Sequence, residues 1–293
     1  MNWWKGLKSK ISFREPLKKH TSFKIGGPAE FFIEPKDEND LRLLLIVTKK
    51  NNMPVLLLGA GSNILAGDKG VKAAVLKLNA LSFKKISFKD SHLEAGSGLM
   101  LGQIVKAAQD HGLSGIEFLA GIPGTVGGAL IMNAGAWGKN IGDAVSRVKV
   151  MDYNGKVKVL KRKDIKFAYR SSSLEKFIIL SADFKLSKRN KKEIKEDIKM
   201  LVQRRRGTQD LCSPSAGCIF KNPEGGSAGR LIDLCGLKGK TQGRAYISSK
   251  HANFILNQGG ARAADVLKLM DLAQKKVKTK FKLTLKPEIK IWH

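Results

Sequence analysis

The segment from Gly121 to Ala136 constrains the fold most, because five of its sixteen residues are glycine. A glycine inside a helix or strand costs about 0.5–1 kcal/mol relative to alanine, so such a run needs another reason. Without a Cβ atom, main-chain N–H groups can lie directly against a bulky anion or cofactor. A second loop, residues 59–65, follows an apolar stretch and has the same character. The two loops predict two halves of one large ligand site.

Length and composition indicate a globular protein. The chain has 293 residues, of which 42% are hydrophobic, enough for two or three packed units. No apolar run approaches the roughly 20 residues of a membrane span. The N-terminus has charge but no apolar core before a small-residue cleavage site, so it does not read as a signal peptide. We therefore expect no membrane span and a cytoplasmic location.

The cysteines argue against cross-links and metal sites. Cys212, Cys218 and Cys235 are odd in number and form neither a Cys-x-x-Cys pair nor a cluster with histidines. We expect no disulfide framework, no metal site and at least one free thiol.

The net charge of +29 allows two interpretations. Clustered Lys and Arg would indicate a nucleic-acid binder, since they neutralise phosphates and release counterions. Here the basic residues are scattered and accompany no nucleic-acid-binding motif, so we expect no nucleic-acid partner. A positive field would still concentrate phosphate-bearing small substrates.

Apolar spacing predicts both helices and strands, and hence an α+β protein. Asn154-Gly155 lies between two strand-like runs and predicts a hairpin with positive φ at both turn positions. One predicted helix starts near Asn39, and four others cover residues 101–108, 194–202, 231–235 and 263–273. Predicted strands cover residues 30–34, 55–58, 73–78, 177–186 and 281–293.

Neither glycine loop matches a known nucleotide fingerprint. A dinucleotide site needs Gly-x-Gly-x-x-Gly after a strand and an acidic residue about 20 positions later, and a phosphate loop ends in Gly-Lys-Ser/Thr. Taken alone, the loops leave the cofactor open.

Seven blocks in order give a specific resemblance to a known family. They are residues 20–27, 59–65, 121–136, 169–172, 215–223, 228–232 and 285–288. With these blocks the chain resembles the UDP-N-acetylenolpyruvoylglucosamine reductases, the flavoenzymes of bacterial peptidoglycan precursor synthesis.

The resemblance implies an FAD-binding module of the vanillyl-alcohol-oxidase type and a C-terminal α+β domain. The implied domains are FAD-binding subdomains at 1–80 and 81–187, a UDP-sugar-binding domain at 188–280 and a tail at 281–293 that returns to the active site. FAD would bind non-covalently, its pyrophosphate held by main-chain N–H groups of both glycine loops. The implied cofactor-binding residues are Thr21, Gly26, Gly59, Ala60, Gly61, Ser62, Asn63, Gly121, Gly124, Thr125, Gly127, Gly128, Asn133, Ala134 and Gly135.

The resemblance also implies two half-reactions, in which NADPH reduces FAD and the enolpyruvyl sugar then takes the hydride at its β-carbon. Negative charge builds on the substrate's α-carbon and carboxylate, which calls for hydrogen-bond donors and a proton. Arg170 would hold the carboxylate with two parallel hydrogen bonds. Glu288 would act with Arg170 on the same carboxylate.

Cys218 is where the chain departs from the commonest family pattern, which has a serine as proton donor at this place. A free cysteine is usually an inert, buried residue. In this block, however, a thiol with a reference pKa near 8.5 is a far stronger acid than an alcohol. We therefore expect Cys218 to protonate the α-carbon, so that the implied catalytic residues are Arg170, Cys218 and Glu288.

The resemblance implies contacts to the substrate as well. Asn222 matches the substrate-phosphate contact, and Gln209 lies in a block that lacks the family's proline. His251 and Asn253 match a family block whose residues fit packing equally well. The implied substrate-binding residues are Tyr169, Gln209, Lys221, Asn222, His251 and Asn253.

Two other functions stay open at this point. A flavin-dependent alcohol oxidase or dehydrogenase would share the module, but it needs a base near the flavin and leaves the blocks around Cys218 and Glu288 unexplained. A basic nucleic-acid-binding protein would be colourless when purified. We expect a monomer that binds NADPH and a UDP-sugar enolpyruvyl ether.

Overall fold

The computed structural model describes residues 3–210 and 212–293 and divides into two compact units. Unit 1 contains residues 3–13, 31–60 and 73–204, and unit 2 contains residues 14–30, 61–72, 205–210 and 212–293. The division follows contacts rather than sequence order, because two short N-terminal segments pack with the C-terminal one. The predicted functional boundaries at residues 80, 187 and 280 stay a prediction.

Helices occur in both units. They are α1 (Glu38–Lys50), α2 (Leu101–Asp110), α3 (Val126–Ile131), α4 (Ile141–Ala144), α5 (Lys191–Thr208), α6 (Ala228–Leu234) and α7 (Ala263–Phe281). Among the residues that the structure describes, none of these helices is both long and apolar enough to cross a membrane.

Most strands are short. They are β1 (Lys10–Pro16), β2 (Pro28–Glu34), β3 (Val55–Leu57), β4 (Ile64–Ala66), β5 (Val71–Leu76), β6 (Ile86–Lys89), β7 (His92–Gly96), β8 (Leu113–Ser114), β9 (Gly135–Ala136), β10 (Lys139–Asn140), β11 (Val145–Met151), β12 (Val157–Lys161), β13 (Phe167–Ala168), β14 (Ser171–Ser172), β15 (Ile178–Lys185), β16 (Ser187–Lys188), β17 (Ser215–Cys218), β18 (Thr241–Gln242), β19 (Ala245–Ile247), β20 (Phe254–Asn257) and β21 (Lys290–Trp292).

Unit 1 is built on a five-stranded sheet of order β12-β11-β15-β7-β6, antiparallel between all neighbours. Alternate residues such as Leu93, Val148 and Ala182 enter a core shared with α2 and α3. Their neighbours Arg147 and Asp183 lie on the opposite face, because successive side chains of a strand alternate.

A second core of unit 1 lies around α1. The unit-1 parts of β2 and β5 and the buried face of α1 pack there with Met151 and Leu180. Trp3 and Trp4, which the motifs left unexplained, lie against Phe31 with ring centroids 4.9 and 5.3 Å away. The N-terminal tryptophans therefore belong to this core.

Unit 2 has one core, formed by an antiparallel sheet of order β17-β20-β19-β18 and by α6 and α7. Residues from all three of its segments enter this core, including Phe23, Leu65 and Val266. A second pairing joins β4 and β21 in parallel, with Leu65 opposite Ile291. The segment 61–72 is thus held by residues more than two hundred positions away in sequence.

Two local predictions need correction. Helix α1 begins earlier than Asn39, because the Asp37 carboxylate accepts the Asp40 N–H at 2.9 Å and caps the helix. Helix α7 continues to Phe281, so strand structure in the tail is confined to residues 290–292.

The hairpin prediction is right in place but wrong in turn geometry. Strands β11 and β12 pair as expected, yet of the two turn residues only Gly155 has a positive φ, at 81°. The Asp152 carboxylate accepts the N–H groups of Asn154 and Lys156, each at 3.0 Å. A side chain therefore closes this turn.

Candidate active site

The two glycine loops lie side by side within unit 1. A Cβ atom on Gly59 would stand 2.7 Å from Thr125 Oγ1 and 3.9 Å from Gly128 Cα. Thr125 caps α3 by accepting the Gly128 N–H at 3.3 Å, and the Gly127 N–H donates to the Ser97 carbonyl at 2.9 Å. Glycine is needed at these places for close main-chain packing, and two of the predicted ligand-facing N–H groups are used inside the unit.

Asn133 lies within the glycine loop of residues 121–136 and connects two segments of unit 1. It is buried, has a φ of 44°, and its Oδ1 accepts the Gly142 N–H at 3.2 Å. Its Nδ2 donates to the carbonyl of Ala168 at 3.1 Å. The side chain therefore ties this loop to the β13–β14 hairpin.

Arg170 sits in the turn of that hairpin with a φ of 54°. Its Nη1 donates to the carbonyl of Gly135 at 3.4 Å, and its guanidinium carbon lies 5.2 Å from the centroid of the Tyr169 ring. Tyr169 is 51% exposed. Unit 1 thus brings the predicted carboxylate-binding arginine next to the predicted cofactor segment Asn133–Gly135.

Cys218 and Glu288 come together in unit 2. Cys218 ends β17 opposite Phe254, and the next residue, Ile219, accepts the Glu288 N–H at 2.8 Å. The Lys221 N–H donates to the carbonyl of Lys286 at 2.9 Å. Two residues far apart in sequence are therefore fixed on neighbouring stretches of main chain, each half-buried.

The glycine loop of residues 59–65 continues into unit 2, where Asn63 contacts the segment that carries Glu288. Asn63 Nδ2 donates to the Glu288 carbonyl at 3.2 Å, and the Asn63 carbonyl accepts the Lys290 N–H at 2.9 Å. Gly61 has a φ of 68°, and a Cβ atom there would stand 2.1 Å from the His20 carbonyl oxygen. Asn63, predicted to bind cofactor, therefore also holds the segment that carries Glu288.

Other predicted cofactor residues fall on both units. Thr21 is buried in unit 2 and donates to the Ile25 carbonyl at 2.9 Å, and a Cβ atom on Gly26 would stand 2.8 Å from Ala66 Cβ. Ser62 also lies in unit 2, half-buried. The predicted residues that lie in unit 1 are Gly59, Ala60, Gly121, Gly124, Thr125, Gly127, Gly128, Asn133, Ala134 and Gly135.

The predicted substrate contacts are also used for local structure. Asn222 Oδ1 accepts the Ala228 N–H at 3.0 Å, at the start of α6. Gln209 Oε1 accepts from Arg205 Nη1 at 3.3 Å. Burial lowers the pKa of His251, whose Nδ1 accepts the Asn253 N–H at 3.3 Å. His251 is therefore neutral at neutral pH.

Comparison with known proteins gives the family. The family model for the C-terminal domain of UDP-N-acetylenolpyruvoylglucosamine reductase matches residues 209–292, and an FAD-binding-domain model matches residues 29–161. The UDP-N-acetylenolpyruvoylglucosamine reductase of Caldanaerobacter subterraneus is 43% identical over 284 residues, which cover 96% of this chain and 93% of the relative. The chain belongs to this reductase family. The Clostridioides difficile reductase is 42% identical over 286 residues, 97% of this chain and 94% of the relative.

A solved reductase has the same fold. The crystal structure of the reductase from Thermus caldophilus is 36% identical, with a TM-score of 0.84 over 98% of this chain and all of that one. The family assignment confirms the prediction made from the seven blocks, that of an FAD-containing oxidoreductase with an FAD-binding domain before a C-terminal domain.

Both glycine loops of this chain lie within residues 29–161, which the FAD-binding-domain model matches. At Gly59 and Gly61 any side chain would collide with neighbouring atoms, so bare main chain is built into this loop. The loop beginning at Gly121 lies against it in unit 1, as the 2.7 Å approach to Thr125 requires. Residues 59–60 and 121–128 are the part of unit 1 that would hold the cofactor. Within the described ranges, 3–210 and 212–293, no group of three His, Cys, Asp or Glu residues could hold a metal ion.

Sequence reasoning named Asn133 and Asn253 as ligand contacts and did not foresee that both amides bind main chain of other segments. Asn253 lies among apolar residues directly before β20 and is 2% exposed. A buried amide needs hydrogen-bond partners, and this was the signal that the sequence offered. It did not say which main chain would supply them.

Proposed function

We propose that this chain reduces UDP-N-acetylglucosamine enolpyruvate to UDP-N-acetylmuramate with NADPH, in peptidoglycan precursor synthesis. The observation that carries the proposal is the 2.8 Å hydrogen bond between the Glu288 N–H and the Ile219 carbonyl, directly after Cys218. An acid and a thiol thus lie on adjacent main chain, which supports a site where the thiol gives a proton and the acid acts on the developing charge. FAD, when bound, would supply the carrier that takes a hydride from NADPH and passes it to the enol ether.

The residues have separate roles in the proposal. Arg170 binds the substrate carboxylate, since a planar guanidinium offers two parallel donors and stabilises the charge that builds there. Cys218 gives its thiol proton to the α-carbon as the β-carbon gains a hydride, and the thiolate then takes a proton from water. Glu288 assists at the same carboxylate. NADPH supplies the hydride and leaves as NADP⁺, and the second hydrogen added to the double bond is the proton from the Cys218 thiol.

Further parts of the proposal follow the family resemblance. Substrate phosphates bind near Lys221 and Asn222, and Tyr169 of unit 1 is a further substrate-binding residue. Residues 188–280 form the UDP-sugar domain, and residues 1–80 and 81–187 form the two FAD subdomains. The protein acts as a cytoplasmic monomer on small molecules.

The test measures flavin reduction and flavin reoxidation separately in the Cys218→Ala variant, by stopped-flow. We expect flavin reduction by NADPH to be unchanged and flavin reoxidation by the enolpyruvyl sugar to slow about 10²–10⁴-fold, the usual contribution of a general acid. Cys218→Ser should retain much of the reoxidation rate. Equal loss in both half-reactions, or no loss in either, would exclude Cys218 as the proton donor.

A further inference from the structure

Asn253 makes three hydrogen bonds to the two residues that follow Cys218. Its side-chain Oδ1 accepts the Phe220 N–H at 2.9 Å, and its Nδ2 donates to the Phe220 carbonyl at 2.8 Å. Its own carbonyl accepts the Ile219 N–H at 2.8 Å. Asn253 is only 2% exposed, and both of these side-chain hydrogen bonds go to the backbone of Phe220.

Cys218 depends on these bonds because the strand before it is irregular. Strand β17 pairs with β20 at Ser215–Leu256 and at Cys218–Phe254. Between these two pairs β17 has one residue more than β20, which is a β-bulge. Gly217, inside this bulge, has a φ of 73°. A bulge redirects a side chain and interrupts the regular ladder. The position of Cys218 is therefore set by what holds the chain immediately after it.

The opposite edge of the same stretch holds Glu288. The Ile219 carbonyl accepts the Glu288 N–H at 2.8 Å, and the Lys221 N–H donates to Lys286 at 2.9 Å. Residues 219–221 are thus bonded to Asn253 on one side and to residues 286–288 on the other. A shift of this stretch would move the Cys218 thiol relative to the Glu288 carboxyl.

We infer that Asn253 is a positioning residue that fixes Cys218 relative to Glu288. The inference rests on the proposed function, in which Cys218 is the proton donor. An amide suits the task because it donates and accepts at once without carrying charge. Neither a carboxylate nor an aliphatic side chain can satisfy both the N–H and the carbonyl of Phe220.

The first test measures the position of Cys218 without any reaction of the flavin. In the FAD-bound protein, alkylation by iodoacetamide is followed at each cysteine by peptide mass spectrometry, with Cys212 and Cys235 as internal references. We expect Asn253→Ala to speed alkylation of Cys218 only, because loss of both side-chain bonds loosens the following stretch.

Asn257→Ala is the matched control. Asn257 ends β20, the strand that Asn253 directly precedes, and is 3% exposed. Its Nδ2 donates to the Phe23 carbonyl at 2.9 Å and its Oδ1 accepts the Gly259 N–H at 2.8 Å. Its side chain bonds to Phe23, Gly259 and Ala261 and not to residues 219–221, so its loss should leave Cys218 alkylation at the wild-type rate. Equal acceleration in both variants, or none in Asn253→Ala, would overturn the inference.

Asn253→Asp replaces the alanine variant if that one does not fold. Its carboxyl, when protonated, can still donate to the Phe220 carbonyl, so Cys218 should alkylate at the wild-type rate at low pH. Ionisation removes that donor, and the rate should then exceed the wild-type rate as pH rises. A rate equal to wild type at every pH would contradict the inference.

Stopped-flow measurements then connect position to chemistry. In either Asn253 variant, flavin reduction by NADPH should be unchanged, and reoxidation should slow by about a hundredfold, the size expected for a misplacement near 1 Å. Altered alkylation with unchanged reoxidation would keep the positioning role and remove Cys218 from the proposed chemistry. Unchanged alkylation would reject the positioning role whatever the reductase activity.

Discussion

At the scale of single residues, buried amides place the candidate chemical groups. Asn133 in unit 1 spans Gly142 and the Ala168 carbonyl, next to Arg170. Asn253 in unit 2 spans both polar groups of Phe220, next to Cys218. In each unit a neutral side chain with one donor and one acceptor holds a loop that a regular strand or helix does not. Substitution of either amide is therefore expected to act through position and not through charge.

Asp183 gives a prediction for stability at this scale. Burial alone would raise its pKa, but hydrogen bonds from His92 at 2.7 Å, Ser146 at 2.8 Å and Arg147 at 3.0 Å outweigh burial and lower that pKa. A lowered folded-state pKa adds stability above the unfolded pKa, and this stability is lost as pH falls through the folded pKa.

We therefore expect Asp183→Asn to lower the unfolding free energy by about 1–3 kcal/mol at neutral pH. The difference from wild type should shrink as pH falls below about 4, where the Asp183 carboxylate of the unfolded chain gains its proton, and should be lost below the lowered folded-state pKa. Urea titrations at several pH values measure this. Glu94→Gln, an exposed change on the neighbouring strand, serves as the control and should stay within about 0.5 kcal/mol. A constant difference at all pH values would refute the assignment.

Candidate site residues could be predicted from sequence only where a motif carried them. The blocks around Arg170, Cys218 and Glu288 identified the family. The structure has Arg170 in a hairpin turn, Cys218 at the end of β17 and Glu288 two residues before β21. The bonds from Asn63 to the Glu288 carbonyl and from Asn253 to Phe220 could not be predicted. They join distant parts of the chain, and no local pattern specifies their partners.

At the scale of elements, apolar spacing and turn signals predicted helices and strands correctly where only nearby residues determine the structure. Helix α2 was predicted at residues 101–108 from apolar spacing, and it ends at Asp110, just before Gly112 with its φ of 65°. The start of α1 and the turn after β11 were mispredicted, because carboxylates of Asp37 and Asp152 supply caps that compete with the simpler signals. The strand predicted at 281–293 is confined to β21, and its parallel pairing with β4 could not be predicted because it is non-local.

Gly61 and Gly102 give a matched pair for the glycine argument. Gly61→Ala should destabilise unit 2 and weaken FAD binding, since its φ is 68° and the new Cβ would meet the His20 carbonyl at 2.1 Å. Gly102→Ala, inside α2 with nothing within 4 Å of its Cβ, should stabilise by about 0.5–1 kcal/mol. Thermal unfolding and flavin fluorescence titration measure both effects. Equal effects of the two substitutions would contradict the geometry of the loop.

At the scale of the whole molecule, charge should weaken the folded state. Lys and Arg number 54 and Asp and Glu 25, which leaves a net charge of +29. Such an excess repels itself in a compact protein. We expect the thermal midpoint to rise between about 10 mM and 150 mM salt, as the screening length falls from about 30 to 8 Å. Sodium and potassium chloride should act alike. A falling midpoint, or a rise with one cation alone, would refute simple screening.

The pairing of β4 with β21 means that β4 is synthesised long before its partner strand. The Asn63–Glu288 bond joins positions 225 apart, so a ribosome working at about 5–20 residues per second needs roughly 11–45 s to supply the second partner. During that interval β4, whose three residues are all buried in the finished protein, has an open edge. Late in that interval every segment of unit 1 has been synthesised, whereas unit 2 still lacks β21. The nascent chain should therefore be most vulnerable to aggregation, and most dependent on chaperones, just before residues 286–292 emerge.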